Sequence, residues 1–162
     1  MRIFYIILLL FLSSCADHSI KSYSDELPKI NLREFFNGEI YALGIVQDRS
    51  GRVIKRFKVD IRASWIGSKA ILDEKFTYSD GTKSSRVWEL EEVGVASGET
   101  AGNVFYFEYN LDLPVDETTY EVNFEDWMYL LDKNTLLARS YMNKWGFDLG
   151  EVTIVMNKKG RN

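Results

Sequence analysis

The chain has 162 residues, of which 46% are hydrophobic and 14% aromatic, with two prolines and a formal net charge of −4. That is enough apolar material for the core of one domain, and it argues against disorder across the body. The mild acidity, with no dense cluster of Lys and Arg, argues against a nucleic-acid partner, because phosphate binding needs clustered cations.

The opening MRIFYIILLLFLSSC has the layout of a secretory signal. Arg2 supplies the positive start, and residues 3–12 form an apolar run too short to span a bilayer. The run ends in Leu12-Ser13-Ser14-Cys15, which resembles the lipobox of bacterial lipoproteins. An acyl transferase needs an exposed thiol, and the peptidase that follows needs a small residue before the cut. Residues 1–14 are therefore expected to be a signal peptide, with Cys15 carrying lipid. Cys15 is the single cysteine, so it has no disulfide partner within the chain. Each buried methylene of an acyl chain contributes ~0.8 kcal/mol, so two or three chains hold a protein firmly on a membrane. Ala16, rather than Asp, follows the cysteine, and the expected location is the periplasmic face of the outer membrane. Residues 15–29 are expected to be the lipidated cysteine and a polar, flexible tether, with residues 30–162 forming the folded domain.

Asn31 caps a short helical turn that Gly38 stops. Strands follow with strong alternation. In residues 53–65 the odd positions are almost all apolar and the even positions almost all polar, with only Ile54 and Lys55 out of place. The alternation and the turn signals place strands near residues 39–48, 52–65, 69–78, 83–92, 95–101, 103–113, 118–131, 135–145 and 151–157. Short connections imply antiparallel neighbours. The expected fold is all-β: an antiparallel up-and-down meander closing into a lipocalin-like barrel, because closure removes exposed edges. A two-sheet sandwich has the same periodicity.

Assigning faces by parity puts Trp65, Phe76, Trp88, Phe107, Tyr109, Phe124 and Met128 inside, either filling a core or lining a cavity for an apolar ligand. Four charged residues, Lys55, Glu74, Arg86 and Asp126, fall on the same inner face. A buried charge is unfavourable unless paired, so Asp126 needs a partner, with Arg86 the first choice and Lys55 the second.

Five ordered blocks carry a family resemblance: Leu32-Arg33-Glu34-Phe35-Phe36-Asn37-Gly38, Gln47-Asp48-Arg49-Ser50-Gly51, Asp112-Leu113-Pro114-Val115-Asp116, Phe124-Glu125-Asp126-Trp127-Met128-Tyr129 and Leu149-Gly150-Glu151-Val152-Thr153. Together they resemble a family of bacterial envelope lipoproteins filed as domain of unknown function, number thirty-eight thirty-three. The resemblance implies a lipocalin-like barrel and no particular activity. The stretch Glu91-Glu92-Val93-Gly94-Val95 is shorter than the family pattern, as if a hairpin arm were missing.

Catalytic chemistry is limited by what the domain lacks. The single histidine, His18, lies in the tether, so the folded body has no Cys nucleophile, no His base and no soft metal ligand. No cofactor or metal is expected, and an enzyme is the weaker expectation. The leading functional reading is a membrane-anchored protein whose barrel binds an apolar small molecule or lipid in the cell envelope. A structural or interaction lipoprotein with a filled core is the alternative, and an enzyme using inner carboxylates is the third.

Overall fold

The computed structural model describes residues 19–91, 98–115 and 118–159. The expected signal peptide and Cys15, residues 92–95 of the shortened stretch and residues 116–117 of one expected turn lie outside them.

After a 3-10 turn, Ile20–Tyr23, and a short helix α1, Leu32–Phe35, the chain forms nine strands. These are β1 Gly38–Asp48, β2 Val53–Ile66, β3 Lys69–Tyr78, β4 Lys83–Glu91, β5 Glu99–Ala101, β6 Val104–Val115, β7 Thr118–Asp132, β8 Thr135–Lys144 and β9 Phe147–Lys158. They make one antiparallel sheet in the order β4-β3-β2-β1-β9-β8-β7-β6-β5. The meander therefore curls until its first long strand meets its last. β1 and β9 pair from Ile40↔Lys158 to Asp48↔Gly150. The result is a curled, barrel-like sheet whose ladder is interrupted, among the described residues, only between β4 and β5.

Turn chemistry explains the hairpins. Asp48, Asp80 and Asp132 each accept a bond from the backbone N–H two residues on, at 2.9, 2.9 and 2.7 Å. This side-chain mimic of a backbone turn fixes three of the corners. The Ser50 hydroxyl, bonded to Asp48, holds that carboxyl down at about 2.

The β8–β9 connection differs from the sequence expectation. Strands were expected to end at 145 and resume at 151, yet β9 begins at Phe147 across a two-residue turn. Trp145 and Gly146 both take positive φ, 52° and 79°, which is the tight hairpin geometry that matches strand twist. The signal was a single Trp-Gly pair, without the usual Asn or Asp.

The inward side chains of β1–β4 and β6–β9 make one core, including Ile40, Ala42, Val59, Ile61, Phe107 and Leu136. Three register shifts leave Ile54, Leu131 and Leu149 as extra residues on bulged strands. All three are exposed, which explains apolar residues that violate the alternation. α1 closes one end of the barrel. Its Asn31 cap accepts from the Glu34 N–H at 3.0 Å, and its Leu32 and Phe35, with Phe36, enter the core. Trp65 Nε1 donates to the Phe36 carbonyl at 2.8 Å, and the Arg33 guanidinium lies 4.5 Å from the Trp65 ring centre.

Residues 19–29 do not have the free, tether-like arrangement expected of them. Ile20 is buried with Val104 and Trp127, and Tyr23 meets Tyr129 edge-on at 5.8 Å. The outer faces of β6 and β7 are aromatic here, and a covering segment removes them from water. At Gly102 a side chain would collide with the Tyr23 carbonyl, 1.7 Å from an ideal Cβ, so glycine is required for that approach.

Candidate functional site

The candidate site is inside the barrel. A cavity of about 70 Å³ lies between the walls, lined among others by Ile61, Phe76, Trp88, Phe107, Tyr109 and Met128. At ~10–15 Å³ per water this is room for a few small molecules of that size. Glu74, Arg86 and Asp126 also line it.

The register explains how these polar groups meet. Glu74 on β3 stands directly across from Arg86 on β4, and the Arg86 Nε donates to the Glu74 Oε2. Glu74 is 7% exposed, whereas the Arg86 side chain is half in solvent. The guanidinium also lies over Phe76 at 5.1 Å and Trp88 at 5.6 Å, so aromatic faces hold it against the seam.

Asp126 on β7 lies across from Phe107 on one side and Ser140 on the other. It is 6% exposed. The Tyr109 hydroxyl donates to its Oδ2 at 3.4 Å, and the nearby Ser140 hydroxyl favours its charged form. Its Oδ1 is buried without a partner among the described residues. Burial pushes the carboxyl up to about 6, against the Ser140 and Tyr109 hydroxyls and the more distant Arg86 charge. Burial, and then the Asp126 charge, raise the Tyr109 phenol well above its usual range.

The expected partnership of Asp126 with Arg86 is therefore corrected. Arg86 is taken by Glu74, which stands directly opposite it in the ladder, while Asp126 sits on β7, one strand past β6 on the far side of the seam. Lys55 does not join the cluster either. It has the expected inward parity, but it stands near the end of the barrel opposite α1, with its ammonium 4.7 Å from the Tyr78 ring centre. Solvent reaches that end, so the charge needs no buried partner. Trp65 packs with α1 at the closed end, and Phe124 stacks on Tyr109 at 5.3 Å; neither lines the cavity. Phe76, Trp88, Phe107, Tyr109 and Met128 do. Ser140 was missed by sequence reasoning. Its signal was the parity of Leu136, Ala138 and Ser140, all buried on β8.

Aromatic stacking runs from the interior to the seam. Phe105, Phe107 and Tyr109 stack in succession along β6 at 5.1 and 5.2 Å. Trp88 on β4 meets Tyr109 at 5.2 Å, across the gap where no ladder joins the two sides among the described residues. Side chains close there what backbone bonds leave open.

Fold and site thus define a small antiparallel barrel with a mostly apolar interior and a sparse charged cluster. The chain matches, over residues 9–158, the family described as "Protein of unknown function (DUF3833)", and it belongs to that family. No curated protein matches it. Among solved structures it is similar to a de novo designed fluorescence-activating β-barrel, at 11% identity and a TM-score of 0.49, covering 80% of this chain and 99% of that one. It is also similar to an S-type phycobiliprotein lyase from Guillardia theta, at 9% identity and a TM-score of 0.48, covering 82% and 95%.

Proposed function

We propose that this protein is a lipid-anchored, lipocalin-like carrier whose barrel takes in a small apolar molecule bearing one hydrogen-bond donor. The observation that supports this reading is Asp126 Oδ1, a buried acceptor that has no partner among the described residues and borders a mostly apolar cavity. Leaving such an atom unsatisfied costs about 1–3 kcal/mol, which a donor on a ligand recovers. With Glu74 and Asp126 against one Arg86, the interior disfavours a carboxylate head group. A hydroxyl, amide or amine suits it better than a fatty acid does. A molecule larger than the cavity enters by parting the β4–β5 seam, where among the described residues side chains and not a ladder make the contact.

The anchor belongs to the same reading. Cys15 lies four residues before Ser19, a span of at most ~14 Å. Since residues 19–29 are docked on the barrel, the domain would ride close to the periplasmic face of the outer membrane, where Ala16 directs it.

Native mass spectrometry of the purified protein tests the binding. A co-purifying small molecule is expected, and Asp126→Asn should change its retention while the fold persists. A clean protein mass, with no apolar probe taken up at any ratio, overturns the carrier. The small size of the cavity favours the second reading, a filled-core lipoprotein acting through its surface, and that outcome would establish it. Labelled palmitate should enter the wild type and not Cys15→Ala; incorporation into the variant removes the anchor.

A further inference from the structure

The outside of the barrel carries a second polar array, on the opposite side of the sheet from the cavity. The ladder aligns Asn110 on β6, Asn123 on β7, Asn143 on β8 and Asp148 on β9 in one cross-strand row. The bulge at Leu149 is what turns Asp148 onto this face. The neighbouring row is Glu108, Glu125, Tyr141 and Glu151. Adjacent strands lie roughly 4.8 Å apart, so the rows present planar amides and carboxylates at regular intervals.

These groups are held in place. Asn123 Nδ2 donates to Glu108 Oε1 at 2.9 Å and to Asn110 Oδ1 at 3.1 Å, and Asn143 Nδ2 donates to Glu125 Oε1 at 3.1 Å. Each amide and carboxylate keeps lone pairs or protons to spare. An open groove of about 590 Å³ lies over part of this array, bordered by Asn123, Glu125, Tyr141, Asn143, Trp145 and Asp148.

Trp145 is the odd residue. It is 85% exposed at the tip of the β8–β9 turn and takes a positive φ of 52°. A left-handed conformation costs a non-glycine residue roughly 1–2 kcal/mol, and an exposed indole gains nothing from burial. The Lys144 ammonium lies 4.7 Å from the ring centre and also 5.0 Å from Tyr120, which steadies the turn. A plain turn would use Asn or Gly here.

The chemistry narrows the ligand. Glu108, Glu125, Asp148 and Glu151 outnumber Arg139 and Lys144, so phosphates and anionic head groups are repelled. Arg139 is also committed to Glu151 at 2.7 Å. Among the described residues no acidic cluster is arranged to hold a metal. The floor is too polar for an apolar guest. A neutral sugar satisfies every feature: its apolar C–H face packs flat on an indole, and its neighbouring hydroxyls both donate to and accept from planar amides and carboxylates.

We infer that the outer face of β7–β9 is a saccharide-binding site, with one sugar ring on Trp145 and its hydroxyls on Asn143, Asp148, Asn123 and Glu125. This site is independent of the barrel interior. The test is titration of the purified protein with chitotetraose, cellotetraose and maltotetraose, and with tetralysine as the charged control, followed by indole fluorescence and amide chemical shifts. At least one tetrasaccharide should bind saturably, with shifts confined to β7–β9. Trp145→Ala should weaken it at least about tenfold, the loss of one aromatic contact and its buried area. Asn143→Ala should weaken it to a lesser degree, and both variants should unfold close to the wild-type temperature. Three outcomes overturn the site: no saturable response to any of the three sugars, binding that Trp145→Ala leaves unchanged, or shifts at Tyr109 and Asp126 instead. Tetralysine binding without sugar binding also overturns it, because it would make the face a charge-driven protein surface.

Discussion

The two junctions that close this barrel are built differently. On one side β1 and β9 exchange backbone bonds along their length, and Ile40, Ala42 and Met156 from these strands are buried beneath them. On the other side, among the described residues, no ladder joins β4 to β5, and Trp88 meets Tyr109 across the gap with Arg86 nearby. A backbone ladder loses its bonds cooperatively, whereas a side-chain contact opens by rotamer changes. One junction is a weld and the other a latch, and the charged cluster sits beside the latch. Opening free energies differ across a fold, and elements that move are drawn from its less protected parts.

The largest expected effect breaks the core that both junctions share. Phe107 is 4% exposed and stacked between Phe105 and Tyr109. Phe107→Ala should cost about 3–5 kcal/mol in chemical denaturation if the interior is packed around it. A much smaller loss, with altered binding of an apolar probe, would mean the cavity absorbs the change.

Asp126 gives the next largest effect, and it depends on pH. Burial holds its folded pKa at about 6, above the ordinary aspartate value of 3.8. Protonation therefore favours the fold: the added stability is complete below pH ~4 and is lost as pH rises through 6. The shift corresponds to about 3 kcal/mol. Asp126→Asn should flatten the stability profile between pH 4 and 7 and match or exceed the wild type at pH 7.5. A profile that stays parallel to the wild type would show that Asp126 is hydrated in solution.

Trp88→Ala tests the latch directly. The overall loss should be about 1–2 kcal/mol, because Trp88 is only half-buried. Amide exchange should accelerate in β4 and β5 and stay unchanged in β1, β8 and β9. Equal acceleration on both sides would mean that the two junctions open together.

The smallest effect sharpens the same side. Glu74→Gln and Arg86→Gln should be coupled by about 1 kcal/mol in a double-mutant cycle, discounted because Arg86 is half in solvent. Asp126→Asn and Arg86→Gln should be close to additive. Strong coupling in that second pair would return Arg86 to Asp126.

Much of the architecture was legible in the chain. Alternation in residues 53–65, the Asp-led turns and the Asn31 cap have local causes, so strand positions, the helical turn and the inner aromatic face could be read directly. The turn at Trp145-Gly146 was not legible, because its residues do not carry the usual preference for positive φ. The docking of Ile20 and Tyr23 was hidden as well. Their neighbours in sequence are polar, and only the outer aromatic face of β6 and β7 makes burial there favourable. Parity placed Glu74, Arg86 and Asp126 on one face, since facing is a property of a single strand. Which of them pair is a property of register and of the curl of the sheet. Glu74 meets Arg86 because β3 and β4 pair directly, and Asp126 is left with Tyr109 and Ser140 because β7 lies beyond the seam, paired with β6 and β8. The sequence alone thus determined which side chains point inward, through the two-residue period of a strand. Only the tertiary structure decided which charges meet and, among the described residues, which acceptor stays without a donor and where the ladder stops, because those follow from contacts between residues far apart in the chain.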